Sequence, residues 1–155
     1  MKLSKNLSLK EVIKSNTATK YGIDNNPTAE HLDALKNIAI NGFQPLREGL
    51  GMPIFVSSGY RSQALNDRIG GSSTSQHSKG EALDVDADVY GIITNKEIFD
   101  YIYANIDFDQ LIWEYGNDKE PDWVHFSMKL KGKNRKEVLK VKKVKGKSIY
   151  SHFKP

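Results

Sequence analysis

The sequence predicts an α+β fold in which helices pack on a mostly antiparallel sheet, with residues 1–155 forming one domain. Three observations support this prediction. The length and the composition, 38% hydrophobic and 27% charged, are those of a globular domain that buries its own core. Helical and strand patterns both occur along the chain. Neither an internal repeat nor a dividing linker is present.

Two helices are predicted before residue 50. Ser8 and Glu11 form a capping box that opens a short helix ending near Ser15. Asn26-Pro27 predicts the N-cap and first position of a long amphipathic helix that reaches the region of Gly49. The apolar residues of this second helix recur at helical spacing: Leu32, Leu35, Ile38, Ala39, Phe43 and Leu46.

The middle of the chain alternates strand and loop patterns. Residues 54–58 are apolar enough for a strand, and residues 62–69 predict a short helix. Residues 70–80 consist largely of Gly, Ser and Thr, which is typical of a loop. Residues 82–88 alternate apolar and acidic side chains, as a half-buried strand does.

The remaining elements complete the sheet. A second capping box opens a helix over residues 94–106. Strands are predicted near residues 110–115 and 123–129, and the lysine-rich residues 138–144 are predicted as a further strand.

The charge is distributed unevenly. Residues 129–155 carry eleven Lys and Arg and one acid, which leaves 12 bases and 18 acids in the first 128 residues. This asymmetry predicts that the basic tail contacts an anionic polymer, and the alternative is an edge strand protected by lysines. A nucleic-acid surface interleaves aromatic and basic side chains, and the tail has only Tyr150 and Phe153, so no nucleic acid is expected.

Several kinds of site are excluded by composition. The chain has no cysteine, so disulfides, thiolate metal sites and a cysteine nucleophile are absent. No apolar run is long enough for a signal peptide or a membrane span. Any metal site must therefore use histidine and carboxylate ligands.

His77 and Asp84 draw attention because a loop histidine precedes the acidic start of a strand by seven residues. His125 lies on another predicted strand and is the candidate for a third ligand. Two histidines and an aspartate leave one of the four positions around zinc open, as in catalytic sites. The competing interpretation places Asp84 on the solvent face of its strand.

Three motifs carry a resemblance to a known family. Residues 75–84, Ser-Gln-His-Ser-Lys-Gly-Glu-Ala-Leu-Asp, match the S-x-H-x-x-G-x-A-x-D signature of zinc D-Ala-D-Ala carboxypeptidases and L-Ala-D-Glu endopeptidases. Their wider group includes lysostaphin-type peptidases and the Hedgehog signalling domain. Residues 58–62, Ser-Gly-Tyr-Arg-Ser, resemble the segment with the family's active-site arginine. Residues 122–125, Asp-Trp-Val-His, resemble its acid-x-x-His element, and the resemblance covers about residues 30–128.

The resemblance implies a role for each matching residue. The Zn²⁺ ligands would be His77, Asp84 and His125. Arg61 would pair with a carbonyl or carboxylate of the substrate, and Ser75 would form a hydrogen bond with the substrate.

The general base implied by the resemblance is Asp122, which would take a proton from the attacking water. Many relatives have the longer Glu here, and Glu120 is the substitute if Asp122 does not reach. Asp122 and His125 are an odd number of residues apart, so a regular strand would point them to opposite faces. A turn or a bulge at residues 121–123 is therefore expected.

The implied function is hydrolysis of a peptide bond in the peptidoglycan stem peptide. The bond would be either the D-Ala-D-Ala bond, cut by carboxypeptidases, or the L-Ala-D-Glu bond, cut by phage endolysins. The alternative function is a non-catalytic, zinc-containing module that binds cell wall. We expect a monomer that is made in the cytoplasm, reaches the wall by phage-type release, and contacts anionic wall polymer through its basic tail.

Overall fold

Eight strands and six α-helices follow one another in the computed structural model, which describes residues 1–155. The strands are β1 (Lys2–Ser4), β2 (Leu7–Ser8), β3 (Phe55–Ser58), β4 (Ala82–Asp86), β5 (Gln110–Glu114), β6 (Trp123–Ser127), β7 (Glu137–Val144) and β8 (Lys147–His152). The helices are α1 (Leu9–Ile13), α2 (Asn16–Tyr21), α3 (Ala29–Ile38), α4 (Gln44–Leu50), α5 (Gln63–Arg68) and α6 (Asn95–Asn105). The predicted α+β class is confirmed.

Six strands form the main sheet in the order β3-β4-β6-β5-β7-β8, and β1 pairs with β2 in a separate hairpin. Every pair in the main sheet is antiparallel except β5 with β7, which is parallel. The parallel pair is possible because a long excursion, which includes β6, separates β5 from β7.

The two faces of the sheet differ because side chains alternate along each strand. One face packs against the helices and supplies buried apolar residues, including Leu83, Val85, Leu111, Trp113, Val124 and Phe126. The opposite face carries polar residues, among them Asp84 and His125. The polar face therefore carries the candidate functional residues, and burial of the apolar face against the helices stabilises the fold.

The long helix is a run of three segments. A π-helical segment, Ala39–Phe43, joins α3 to α4, and the buried positions follow the predicted spacing. The predicted N-cap at residues 26–27 is wrong. Thr28 caps α3 by accepting a hydrogen bond from the N–H of His31, while the Asn26 side chain turns back to Asp24.

The N-terminal region contains more structure than the sequence analysis predicted. The capping box of Ser8 and Glu11 is confirmed at the start of α1. The β1–β2 hairpin and α2 were not predicted. Strands of two or three residues contain too few positions for a period to be recognised.

The basic tail is part of the sheet and not an appendage. The strand predicted at residues 138–144 is confirmed as β7, and β8 follows it at the edge of the sheet. Phe153 packs on the rings of Phe99 and Trp113, with centroids 5.8 and 5.6 Å away. None of the helices is both long enough and apolar enough to span a bilayer.

Candidate metal centre

Three side chains that can bind a metal meet on the polar face of the sheet: His77, Asp84 and His125. Oδ1 of Asp84 lies 3.3 Å from Nε2 of His77 and 3.0 Å from Nδ1 of His125. The three ligand atoms all lie within 4.8 Å of one another. Both histidines are buried, and 15% of the Asp84 side chain is exposed. The cluster can hold one metal ion.

The sheet register and one short turn bring these side chains together. Asp84 of β4 pairs directly with His125 of β6, and paired residues project to the same face. His77 comes from the 3₁₀ turn Gln76–Lys79, immediately before β4. Ser75 caps this turn by accepting a hydrogen bond from the N–H of His77 at 3.3 Å.

Hydrogen bonds to the segment that carries Arg61 fix the position of His77. Nδ1 of His77 lies 2.6 Å from the carbonyl oxygen of Gly59, and the carbonyl of His77 accepts the N–H of Arg61 at 3.1 Å. Gly59 allows close packing on α1, because a Cβ there would lie 2.5 Å from the carbonyl oxygen of Val12. The Ser-Gly-Tyr-Arg motif therefore positions His77 as well as Arg61.

The contact with Gly59 decides the tautomer of His77. A carbonyl oxygen only accepts, so Nδ1 carries the ring proton, and Nε2 faces Oδ1 of Asp84. Burial favours the neutral form of Asp84, but the two histidines outweigh it and hold its pKa well below the usual range. The lone pair of His77 Nε2 therefore faces a carboxylate oxygen, an approach that a metal cation between the two atoms would make favourable.

The cluster lies in a cleft of about 680 Å³ that Arg61 and Ser75 also line. Burial lowers the pKa of Arg61, whereas Asp84 and Glu114 raise it, so its guanidinium is placed near two carboxylates. Arginine stays protonated in any such environment. Tyr150 of β8 lines the same cleft, so the tail contributes to it directly.

Asp122 does not line this cleft. β5 and β6 pair in register as far as Glu114 and Trp123, and Asp122 lies in a bend just before β6, where its N–H donates to the carbonyl of Glu114 at 2.9 Å. The chain therefore bends where a turn or bulge was expected, but the bend does not bring the side chain of Asp122 into the cleft. Asp122 is exposed and lines a separate depression with Asp118 and Lys142.

Three more hydrogen bonds keep this segment in place. The buried Asn95 side chain donates to the carbonyls of Pro121 and Asp122, at 3.3 and 3.0 Å. The substitute candidate, Glu120, accepts the N–H of Lys96 at the start of α6, at 2.9 Å. Glu120 also does not line the cleft of the metal cluster.

Glu114 does line the cleft, and the sequence analysis missed it. Glu114 pairs with Trp123 and Ile112 pairs with His125, so Glu114 and His125 are diagonal neighbours on one face. Diagonal neighbours are about 7–8 Å apart at Cα, within reach of long side chains.

The surroundings of Glu114 are unusual for a carboxylate. Its exposed fraction is 8%, and burial raises its pKa to about 7, although His125 and Arg61 favour the ionised form. One signal in the sequence was available. Glu114 is the one acid in the otherwise largely apolar strand predicted near residues 110–115. An acid in such a strand is a candidate for a buried, functional carboxylate.

Comparisons with known proteins agree with the motifs. A model of the family described as peptidase M15 matches residues 5–127. This match begins earlier than the resemblance noted from the motifs and includes α1, which supports Gly59. No curated protein matches the chain.

Proposed function

The chain belongs to the peptidase M15 family, and on that premise we propose that it is a zinc peptidase of the bacterial cell wall. The substrate is the peptidoglycan stem peptide, cut at either the D-Ala-D-Ala or the L-Ala-D-Glu bond. The observation that carries the proposal is the convergence of His77, Asp84 and His125 beside Arg61 in one cleft.

The ligand set suits zinc. Two imidazole nitrogens and one carboxylate oxygen make a three-residue set that leaves a fourth tetrahedral position for reactants. With bonds of about 2.0–2.2 Å, ligand atoms around a tetrahedral zinc ion lie about 3.3–3.5 Å apart. The separations here, 3.3 Å from His77 to Asp84 and 3.0 Å from Asp84 to His125, are close to this spacing.

The residues of the cleft have separate roles in the proposed peptide hydrolysis. When bound, zinc supplies Lewis-acid chemistry, which polarises a carbonyl and acidifies water. Arg61 binds the oxygen on which negative charge develops, or a carboxylate of the stem peptide, through its fork of N–H donors. Ser75 is the proposed hydrogen-bond partner of the substrate, in addition to its role as a cap.

The proton acceptor proposed here is Glu114, in place of Asp122. An Oε atom of Glu114 takes the proton of the attacking water and returns it to the nitrogen of the leaving amine. Its burial keeps the proton affinity of the carboxylate high enough for both steps. The side chain of Asp122 is exposed to solvent and lacks this buried environment.

The test is digestion of purified peptidoglycan by the zinc-loaded protein, with products identified by mass spectrometry. The expected products are stem-peptide fragments, absent when zinc is removed, whose masses name the bond. Release of free D-alanine indicates the carboxypeptidase reaction, and cleavage beside D-glutamate indicates the endopeptidase reaction. Zinc binding without any product would instead favour the non-catalytic wall-binding module.

The basic tail is proposed to hold the protein on anionic wall polymers. Truncation near residue 131 would remove β7 and β8 and with them one wall of the cleft, so charge replacement is the better experiment. Lys143, Lys145 and Lys147 are exposed, whereas Lys140 and Lys142 pair with Asp118.

Replacing Lys143, Lys145 and Lys147 together by Gln is expected to weaken wall binding about 10- to 100-fold at low ionic strength, because each lysine near an anionic surface contributes about 1 kcal/mol. Co-sedimentation with insoluble walls measures this effect. The difference should shrink at about 1 M salt, where charges are screened within about 3 Å. Hydrolysis of a soluble stem peptide should stay unchanged. Unchanged wall binding would show that the lysines only protect the edge strand.

A further inference from the structure

The two ring nitrogens of His125 have different partners. Nδ1 lies 3.0 Å from Oδ1 of Asp84, on the side of the metal cluster, and Nε2 lies 3.3 Å from Oε1 of Gln76. A neutral imidazole has one protonated nitrogen and one with a free lone pair. His125 can therefore bind a cation through Nδ1 only if Nε2 carries the proton, and the partner of Nε2 decides this.

The orientation of the Gln76 amide is set by a buried ion pair. The Gln76 Nε2 group donates to Oδ2 of Asp109 at 2.8 Å. Asp109 has no exposed surface, and Arg135 binds both of its oxygens, Nε to Oδ1 at 3.0 Å and Nη2 to Oδ2 at 2.8 Å. Burial favours the neutral acid, but the hydrogen bonds and charge of Arg135 outweigh it and lower the pKa of Asp109.

This ion pair leaves one orientation for the amide. Arginine is always protonated, so it keeps Asp109 ionised, and an ionised carboxylate only accepts hydrogen bonds. The amide nitrogen of Gln76 must then face Asp109. Its amide oxygen faces His125 and accepts the proton of Nε2.

We propose that Gln76 is a positioning residue that links the Arg135–Asp109 ion pair to His125 and fixes this histidine as the tautomer with its proton on Nε2. The free lone pair of Nδ1 then points at the metal position beside Asp84. The inference rests on the proposed metal binding by His125 but not on the proposed substrate.

The link depends on parts of the chain that lie far apart in sequence. Asp109 immediately precedes β5, and Arg135 lies two residues before β7, the parallel neighbour of β5. The N–H of Arg135 also donates to Oδ1 of Asp109, at 2.9 Å, so backbone and side chain both hold the carboxylate. The basic tail thus supports the candidate metal centre through Arg135.

The test uses the full chain with Gln76→Met, which keeps the length of the side chain but removes both hydrogen bonds. Loss of a supporting partner of a metal ligand typically lowers metal affinity about 10- to 100-fold. The zinc dissociation constant, measured by competition with a chromophoric chelator, should rise by that factor. Gln110→Met is the matched control, because Gln110 lines the same cleft but binds Glu137 and no histidine.

A second readout reports the tautomer itself. In the zinc-loaded wild type, the Nε2 proton of His125 should give a downfield NMR resonance, because its hydrogen bond to Gln76 slows exchange with water. Gln76→Met should lose this resonance by exchange, and Gln110→Met should keep it.

The variant Arg135→Gln tests whether Gln76 acts by orienting His125 or only by filling space beside it. Arg135 is 48% exposed and lies outside the cleft, so its replacement removes little apolar packing; what it removes is the charged partner of the buried Asp109. The proposal expects weaker zinc binding and faster exchange of the His125 proton in this variant too. An unchanged zinc dissociation constant and resonance in both Gln76→Met and Arg135→Gln would overturn it. If both variants bind zinc more weakly, as expected, but the wild type releases no product from peptidoglycan, only the proposed function is overturned.

Discussion

Replacing Glu114 by Gln is expected to slow hydrolysis of the stem peptide about 10²- to 10⁴-fold, the range typical of losing a general base. The amide has nearly the shape of the carboxylate but cannot accept a proton from water. Glu114 is not one of the clustered ligands, so zinc content should be that of the wild type. The effect should appear in kcat, with KM little changed, because the proton moves during the reaction and not during binding.

The competing assignment is tested by Asp122→Asn in the same assay. The exposed Asp122 lines a different depression, so its replacement should change kcat by less than about 2-fold if it takes no part in proton transfer. A large loss in Asp122→Asn with normal activity in Glu114→Gln would reverse the assignment. That result would require the segment around Pro121 to rearrange on substrate binding, with loss of the contacts from Asn95.

Replacing Asp84 by Asn is expected to remove both zinc binding and activity. Asp84 contacts both histidines, so its loss should cost more than the 10- to 100-fold in affinity that a supporting partner costs. Activity should fall to the background of the metal-free wild type. Chelation of the wild type should have the same effect, and added zinc should restore activity to the wild type only.

Thermal unfolding distinguishes a metal site from an ordinary hydrogen-bonded cluster. Zinc binds the folded chain and should raise the Tm of the wild type with increasing concentration. Asp84→Asn should show no such shift. The Asn amide can donate to a histidine nitrogen, so the metal-free variant should be about as stable as the metal-free wild type. Asp88→Asn, an exposed change close by, is the matched control and should keep the zinc-dependent shift.

Local patterns were sufficient for most of the fold. Capping residues such as Ser8 and Thr94 mark helix starts within one turn of chain, because their side chains accept hydrogen bonds from N–H groups three residues ahead. Alternation marked β4, since buried and half-buried side chains follow the period of two. The N-cap at Thr28 was missed because Asn26 and Pro27 are equally good start signals locally.

The candidate base could not be predicted in the same way. Whether Asp122 or Glu114 enters the cleft depends on the direction of the bend before β6 and on the pairing of β6 with β5. The buried Asn95, from a separate helix, also holds the segment in place. A motif records spacing along the chain, whereas the side of a strand that a residue occupies depends on its neighbours in the sheet.

The sequence by itself determined the α+β class, the peptidase family and the three residues that meet as a metal cluster, because these follow from local periodicity and a motif of fixed spacing. The tertiary structure alone decided that Glu114, and not Asp122, lines the cleft. It also decided that Gln76 connects His125 to the Arg135–Asp109 pair. These relations join residues that are far apart in sequence, and only strand register and burial determine which of their side chains meet.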